Sequence, residues 1–337
     1  MYKKLAVIMA AAAAWALPFQ AAQADNQSIP EGAAFGKRVP ALNGAPPEGF
    51  TIGVGKTAYN GSVDGSIYKV NLASGEGEVL VPAEPGFDLF AGDCFKLGMR
   101  VDPRTNYLFV AGCQVGNAYV YDAQTGEEIT QYELAPFGTV INDLVITRRA
   151  VYFTDFTGPF LYQLPLSANG EIPGPGASMP IPLTGSDPDD PLGTPQTANG
   201  IVVLGDGKTL IIGDSSSAQI YRVDPGTGVS DRIILDTPLQ GFIDGIVRDN
   251  ARLYILSPAN PEDPEDVDRI YVVRLDKGMA TGKLMGVITD DDLDGVASGA
   301  ILGNSLYVNN ARYTTFPEAD TEYWLTRLKI KSTRWHP

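Results

Sequence analysis

The chain has 337 residues with 40 acidic and 25 basic side chains, a net charge of −15, 44% hydrophobic and 19% charged residues, one histidine and two cysteines. This is the composition of a globular protein with a sizeable core, neither disordered nor fibrous. A surface this acidic repels phosphate backbones and anionic lipid, which argues against nucleic-acid and membrane-surface partners and is compatible with cation binding.

Residues 1–24 read as an export signal, with Lys3 and Lys4 at the charged start, an apolar stretch from Leu5 to Leu17 and a small-x-small site at Ala22-Gln23-Ala24. Such a stretch is too short to span a bilayer core, and no later one is longer, so no membrane insertion is expected. The expectation is an exported protein, periplasmic or secreted, whose mature chain starts near Asp25. Residues 25–47 form a linker or external segment, rich in Pro, Gly and Ala from Pro30 to Pro47. One of its short runs is a candidate for closing a ring of strands, which the sequence leaves open.

From 48 to 330 the chain repeats. A unit opens on a polar residue, then usually Gly, then an apolar residue: Glu48-Gly49-Phe50, Leu97-Gly98-Met99, Asn142-Asp143-Leu144, Asn199-Gly200-Ile201, Asp244-Gly245-Ile246 and Ser298-Gly299-Ala300. A second short apolar run follows most of them (YLFVAG, AVYFTD, TLIIGD, RLYILS, SLYVNN), then a third led by an aromatic (SIYKVNL, NAYVYDA, FLYQLPL, QIYRVDP, RIYVVRL). Starts recur every 45 to 57 residues, with Gly/Asp turns between runs and little helical periodicity. The pattern predicts an all-β fold, a six-bladed β-propeller of four-stranded antiparallel blades, with residues 331–337 as a tail.

Cys94 and Cys113 flank a hairpin whose turn is Asp102-Pro103-Arg104-Thr105-Asn106, and counting outward from that turn sets the two sulfurs nearly opposite each other. In an oxidising compartment this favours a disulfide over two buried thiols. A thiol nucleophile lacks an activating histidine, since the chain's one histidine, His336, lies beside the C-terminus. The same scarcity rules out a Ser-His-Asp triad or a His-ligated metal in the body of the protein, and leaves oxygen ligands and a hard cation.

The residues that open the blades are Glu48, Leu97, Asn142, Asn199, Asp244 and Ser298. If the inner strands start at one mouth of the channel, these six side chains converge. Glu48, Asn142, Asn199 and Asp244 would then offer two carboxylates and two amides to a divalent cation, with waters completing the shell. The plainer account is that Asn and Asp before Gly are turn residues. A second acidic run, Asp290-Asp291-Asp292-Leu293-Asp294-Gly295, matches the first half of an EF-hand loop. It carries Ile301 where a bidentate Glu is required, so it is read as a solvated loop.

The ordered set Glu48-Gly49, Asn142-Asp143, Asn199-Gly200 and Asp244-Gly245 resembles the SMP-30/gluconolactonase/LRE-like (regucalcin-like) family over about Pro47 to Ile330. The ending Thr321-Glu322-Tyr323-Trp324-Leu325-Thr326-Arg327 is similar to an exported bacterial subgroup. The resemblance implies a divalent cation at the channel mouth, most often calcium, with magnesium, manganese or zinc as further candidates, and hydrolysis of a lactone or similar ester. It implies Asp244 as general base and metal ligand, Glu48, Asn142 and Asn199 as further ligands, Asn142 and Arg312 as substrate contacts, and Asp143 as support for the ligands. The context Gly-Phe-Thr-Ile after Glu48 and the Lys96-Leu97 start of the second blade depart from the family pattern, and an insert from Gly185 to Gln196 is placed to cover the mouth. The rival reading is a non-catalytic exported propeller that binds a small ligand or a protein around a structural cation. A quinone-dependent redox propeller is disfavoured by the missing histidines.

Overall fold

The computed structural model describes residues 38–83, 86, 96–187, 189–190, 192–263, 265–315 and 318–330. The export signal, Cys94, His336 and the 331–337 tail therefore lie outside the described residues.

Every strand run named above forms a strand, because each is short, β-branched or aromatic, and bounded by turn residues. Six sheets result, with strands hydrogen-bonded in sequence order from the axis outward except for the outermost strand of three of them. The inner strands are Pro47–Ile52, Met99–Asp102, Ile141–Ile146, Ala198–Val203, Ile246–Asp249 and Val296–Leu302. Each touches the inner strand of the next blade and the sixth touches the first, so the ring is closed. The structure is the predicted all-β, six-bladed propeller, with no helix among the described residues.

Two details go beyond the four-stranded pattern. Thr184–Gly185 adds a short parallel strand outside Val229–Arg232, and Ile234–Leu235 does the same outside Thr281–Ile288. In both places the connection leaving one blade grazes the outer edge of the next on its way to the axis. The closing strand is now also identified: Arg38–Pro40 pairs antiparallel with Trp324–Lys329 as the outermost strand of the sixth blade. Arg38 holds this joint by an ion pair to Asp292 at 2.7 Å and by lying 4.0 Å over the Trp324 ring. That explains the acidic run at 290–294: Asp292 takes Arg38, its carbonyl accepts Trp324 Nε1 and Thr326 Oγ1, and Asp294 pairs with Arg312. The run is a structural latch.

A strand buried on both faces must be apolar at successive positions, and the second strands show it. Leu253 and Ile255 face the fourth blade while Tyr254 and Leu256 face the sixth. Each blade boundary has its own apolar cluster, so the core is a set of slabs between blades.

At the axis the slabs give way to backbone-on-backbone contact. Gly98 N donates to Asn142 O (2.8 Å), Gly200 N to Asp244 O (3.2 Å) and Gly245 N to Ala297 O (2.9 Å). A Cβ on Gly49 would lie 1.7 Å from Leu97 O, and one on Gly200 would lie 2.5 Å from Ile246 N and 2.6 Å from Asp244 O. The repeated Gly therefore serves close approach between neighbouring blades. Gly49→Ala is expected to lower stability by about 3 kcal/mol, as overpacking against fixed backbone does. Gly278→Ala, which meets open space, is expected to stay near wild type, and paired urea melts check both.

Candidate functional site at the channel mouth

The inner strands of four blades carry a β-bulge at their start. Pro47 pairs with Ser62 but Phe50 with Asn60, and the same one-residue excess falls at Ile141/Leu144, Ala198/Ile201 and Val296/Gly299. A bulge places two residues against one and re-aims a side chain. The residues in these bulges include Glu48-Gly49, Asn142-Asp143 and Asn199-Gly200. Asp244 lies just before the strand Ile246–Asp249, with its N–H bonded to Leu256 O (2.9 Å) and Leu256 N–H bonded to Gly245 O (2.9 Å).

Side chains from neighbouring blades lock the bulges. Thr154 Oγ1 accepts Asp143 N–H (2.9 Å) and donates to Asn199 O (2.9 Å), joining blades three and four. Ser215 Oγ donates to Ile243 O (2.5 Å) and accepts from Asn199 Nδ2 (3.1 Å), joining four and five. Asn309 accepts Ser298 N–H (2.7 Å) and donates to Glu48 O (2.9 Å), joining six and one.

Glu48 and Asp244 converge. Tyr313 OH lies 3.0 Å from Glu48 Oε2 and 3.2 Å from Asp244 Oδ2, so one phenol oxygen touches both carboxylates. The Asn199 side chain is close enough to oppose the rise of the Asp244 pKa. The Asn142 side chain is buried and makes no hydrogen bond among the described residues, although its backbone carbonyl is held by Gly98. Asp143 stands where other blades have Gly. Its carboxylate accepts Leu144 N–H (2.8 Å) and Ile201 N–H (3.3 Å) and faces Arg100 at 3.4 Å. At the same end of the channel Phe156 and Phe242, with centroids 6.3 Å apart, join blade three to blade five.

The electrostatics separate these acids. Desolvation pushes Glu48 up to about 7 against the opposing Tyr313 hydrogen bond. Asp244 is pushed well above the ordinary carboxylate range by burial first and by the Glu48 charge second. Asp143 is also raised by burial, with Arg100 and two backbone N–H groups opposing. Among the described residues no lysine or arginine pairs with Glu48 or Asp244. They hold no cluster of three His, Cys, Asp or Glu side chains fit to bind a metal. The donor set at the mouth is therefore two carboxylates completed by amide oxygens, a composition that suits a hard cation.

Of the four residues expected at the mouth, Glu48 and Asp244 meet at Tyr313, while Asn142 and Asn199 stand at the starts of the inner strands of blades three and four. Arg312 is placed differently. Its guanidinium pairs with Asp294 at 2.9 Å and donates to Glu322 O at 2.8 Å, so it is engaged within the protein beside the mouth. The residue that reaches the acids is its neighbour Tyr313, which no repeat signalled because it lies in the turn after the last blade's second strand. The Gly185 to Gln196 insert is tied to the outer strand of blade four by the Ser186–Asp231 hydrogen bond, the Asp190–Arg232 ion pair and Ser230 Oγ to Gly193 O. It then runs to the inner strand. Cys113 is buried and its backbone bridges to Ile141; the partner expected for it, Cys94, lies outside the described residues.

Neither a family model nor a curated protein sequence matches the chain. Among solved structures it is similar to the major allergen Mala s 1 of Malassezia sympodialis, with a TM-score of 0.64 at 12% identity over 90% of this chain and 99% of that one. It is also similar to a calcium-binding protein, regucalcin, from Agrobacterium tumefaciens, with 0.57 at 18% over 88% and 96%. A third likeness is to the WD40 repeats of RRP9, with 0.57 at 10% over 87% and 97%. Identities this low establish the propeller, of the architecture regucalcin also has, and leave its chemistry to the mouth itself.

The raised carboxylates make stability depend on pH. A carboxyl whose folded pKa lies above its unfolded value stabilises the fold below the unfolded value, and that contribution is lost as pH rises through the folded one. For Glu48 the window runs from its ordinary 4.5 to about 7. In chelator, the wild-type melting temperature is expected to fall between about pH 5 and about pH 8. Glu48→Gln, followed by calorimetry across that range, is expected to fall less.

Proposed function

We propose that the protein is an exported, divalent-cation-dependent hydrolase of a lactone or similar ester, with calcium as the first candidate cation. The observation that carries this reading is the facing pair Glu48 and Asp244, two desolvated carboxylates meeting at one phenol with no protein cation beside either among the described residues. A divalent cation would neutralise the pair, and Asn142 and Asn199 would add neutral oxygen donors from the adjacent blades. The likeness to a protein described as calcium-binding points the same way.

A cation held there would polarise an ester carbonyl. Asp244, raised by burial and by Glu48, acts as general base and takes the proton of the attacking water. The water oxygen bonds to the carbonyl carbon, the ring C–O bond breaks, and the departing oxygen recovers the proton from Asp244. Asn142, whose amide is unengaged among the described residues, orients the carbonyl or the water. Asn199, anchored by Ser215, stands near Asp244 and favours its charged form.

The test is background-subtracted hydrolysis of a lactone panel by the purified protein with calcium, with chelator, and as Asp244→Asn. Cation-dependent turnover that falls by about 100-fold or more in the variant supports the reading. No turnover, with calcium still raising the melting temperature, would replace it with a cation-stabilised binding propeller.

Export carries a further expectation. Protein recovered from the periplasm or medium begins near Asp25, and Cys94 and Cys113 resist alkylation until reduced. Intact mass with and without reductant reads both. A leader retained or a thiol that reacts at once would count against this part of the proposal.

A further inference from the structure

Tyr313 is held in place from several directions. The strand Ser305–Asn310 ends, and Arg312 takes a left-handed backbone (φ 53°), a costly conformation for a residue with a side chain. That turn is fixed by Arg312 N–H to Asp294 O (3.0 Å), Thr315 N–H to Arg312 O (2.8 Å), and the guanidinium bonds to Asp294 and Glu322, with Trp324 5.0 Å from the guanidinium. It packs on Gly295, where a Cβ would lie 2.8 Å from Arg312 N and 3.1 Å from Tyr313 Cδ2. The whole turn aims one phenol at the midpoint of two acids.

A phenol has one proton to donate. It can satisfy one carboxylate at a time, so its position between Glu48 Oε2 and Asp244 Oδ2 imitates a cation incompletely. A divalent cation held by Glu48 and Asp244 would compete with the phenol for their carboxylates and would repel its proton.

Resting on the cation site read above, we propose that Tyr313 is a built-in competitor for that site: its hydroxyl stands between Glu48 and Asp244 in the metal-free protein and gives way when a cation binds. The turn thus sets how weakly the cation is held. It keeps the two carboxylates facing each other with nothing bound, at the cost of affinity. Arg312 is on this account a positioning residue for the phenol.

The experiment is calorimetric titration of calcium into chelator-stripped protein, wild type against Tyr313→Phe. Loss of a hydrogen bond to a charged group from the metal-free state is expected to tighten calcium binding by about ten-fold or more. Affinity unchanged or weakened in the variant would overturn the proposal, the second result making Tyr313 a ligand. A measurement on the wild type alone guards against a misfolded variant: calcium should produce a saturable tyrosine ultraviolet difference spectrum with the calorimetric midpoint, and its absence also overturns the proposal. Calcium binding to wild type without tightening in the variant removes only the competitor. No binding by either protein removes the cation site and the competitor together.

Discussion

The approach of neighbouring blades at the axis is the constraint on which this structure depends. Around the rim, apolar slabs separate the blades. At the centre they draw together until backbone meets backbone, with N–H groups of Gly98, Gly200 and Gly245 bonding to carbonyls of the next blade. That seam leaves little room for a side chain, so the chain puts glycine there in five blades and Asp143 in the third. The bulge is how a regular strand meets that demand, since it supplies the extra residue without disturbing the pairing further out. Glu48 and Asp244 are thus side chains that immediately precede this crowded seam.

That geometry explains the charge pattern. Asp143 takes the seam position itself, and its carboxylate is met by Arg100 and two backbone N–H groups. Glu48 and Asp244 take the channel position and meet a phenol and an amide. Neutral donors moderate desolvation without cancelling it, which is why both acids are raised, Asp244 further by the Glu48 charge. Acids elsewhere do ordinary structural work: Asp292 and Asp294 pair with arginines, and Asp206 and Asp224 accept turn N–H groups.

The fold was legible in the sequence because propeller physics repeats: the Gly at the seam, the aromatic in the third strand and the apolar run in the second recur in order. Glu48, Asn142, Asn199 and Asp244 were legible for the same reason, as positions defined by that repeat. What was missed lies outside it. Tyr313 sits in a turn reached only through the left-handed Arg312, so proximity in sequence favoured the arginine while the backbone delivers the tyrosine. The closing strand Arg38–Pro40 is too short to show a period, and its partners, Asp292 and Trp324, are distant in sequence. The bulges were hidden because Asn-Gly and Glu-Gly look like turns wherever they occur.

The same separation between seam and channel explains why structural likeness reaches an allergen, regucalcin and WD40 repeats while sequence identity stays between 10% and 18%. Slabs need apolar residues of suitable volume, and the seam needs glycine or a group that hydrogen-bonds across it. The residue before the seam is freer to vary, and Leu97 and Ser298 stand in blades two and six where the other four carry carboxylates or amides. Blade six then reaches the mouth by another route, through the turn that delivers Tyr313. Blade two sends no carboxylate or amide there, since Leu97 is buried in the apolar slab between blades two and three.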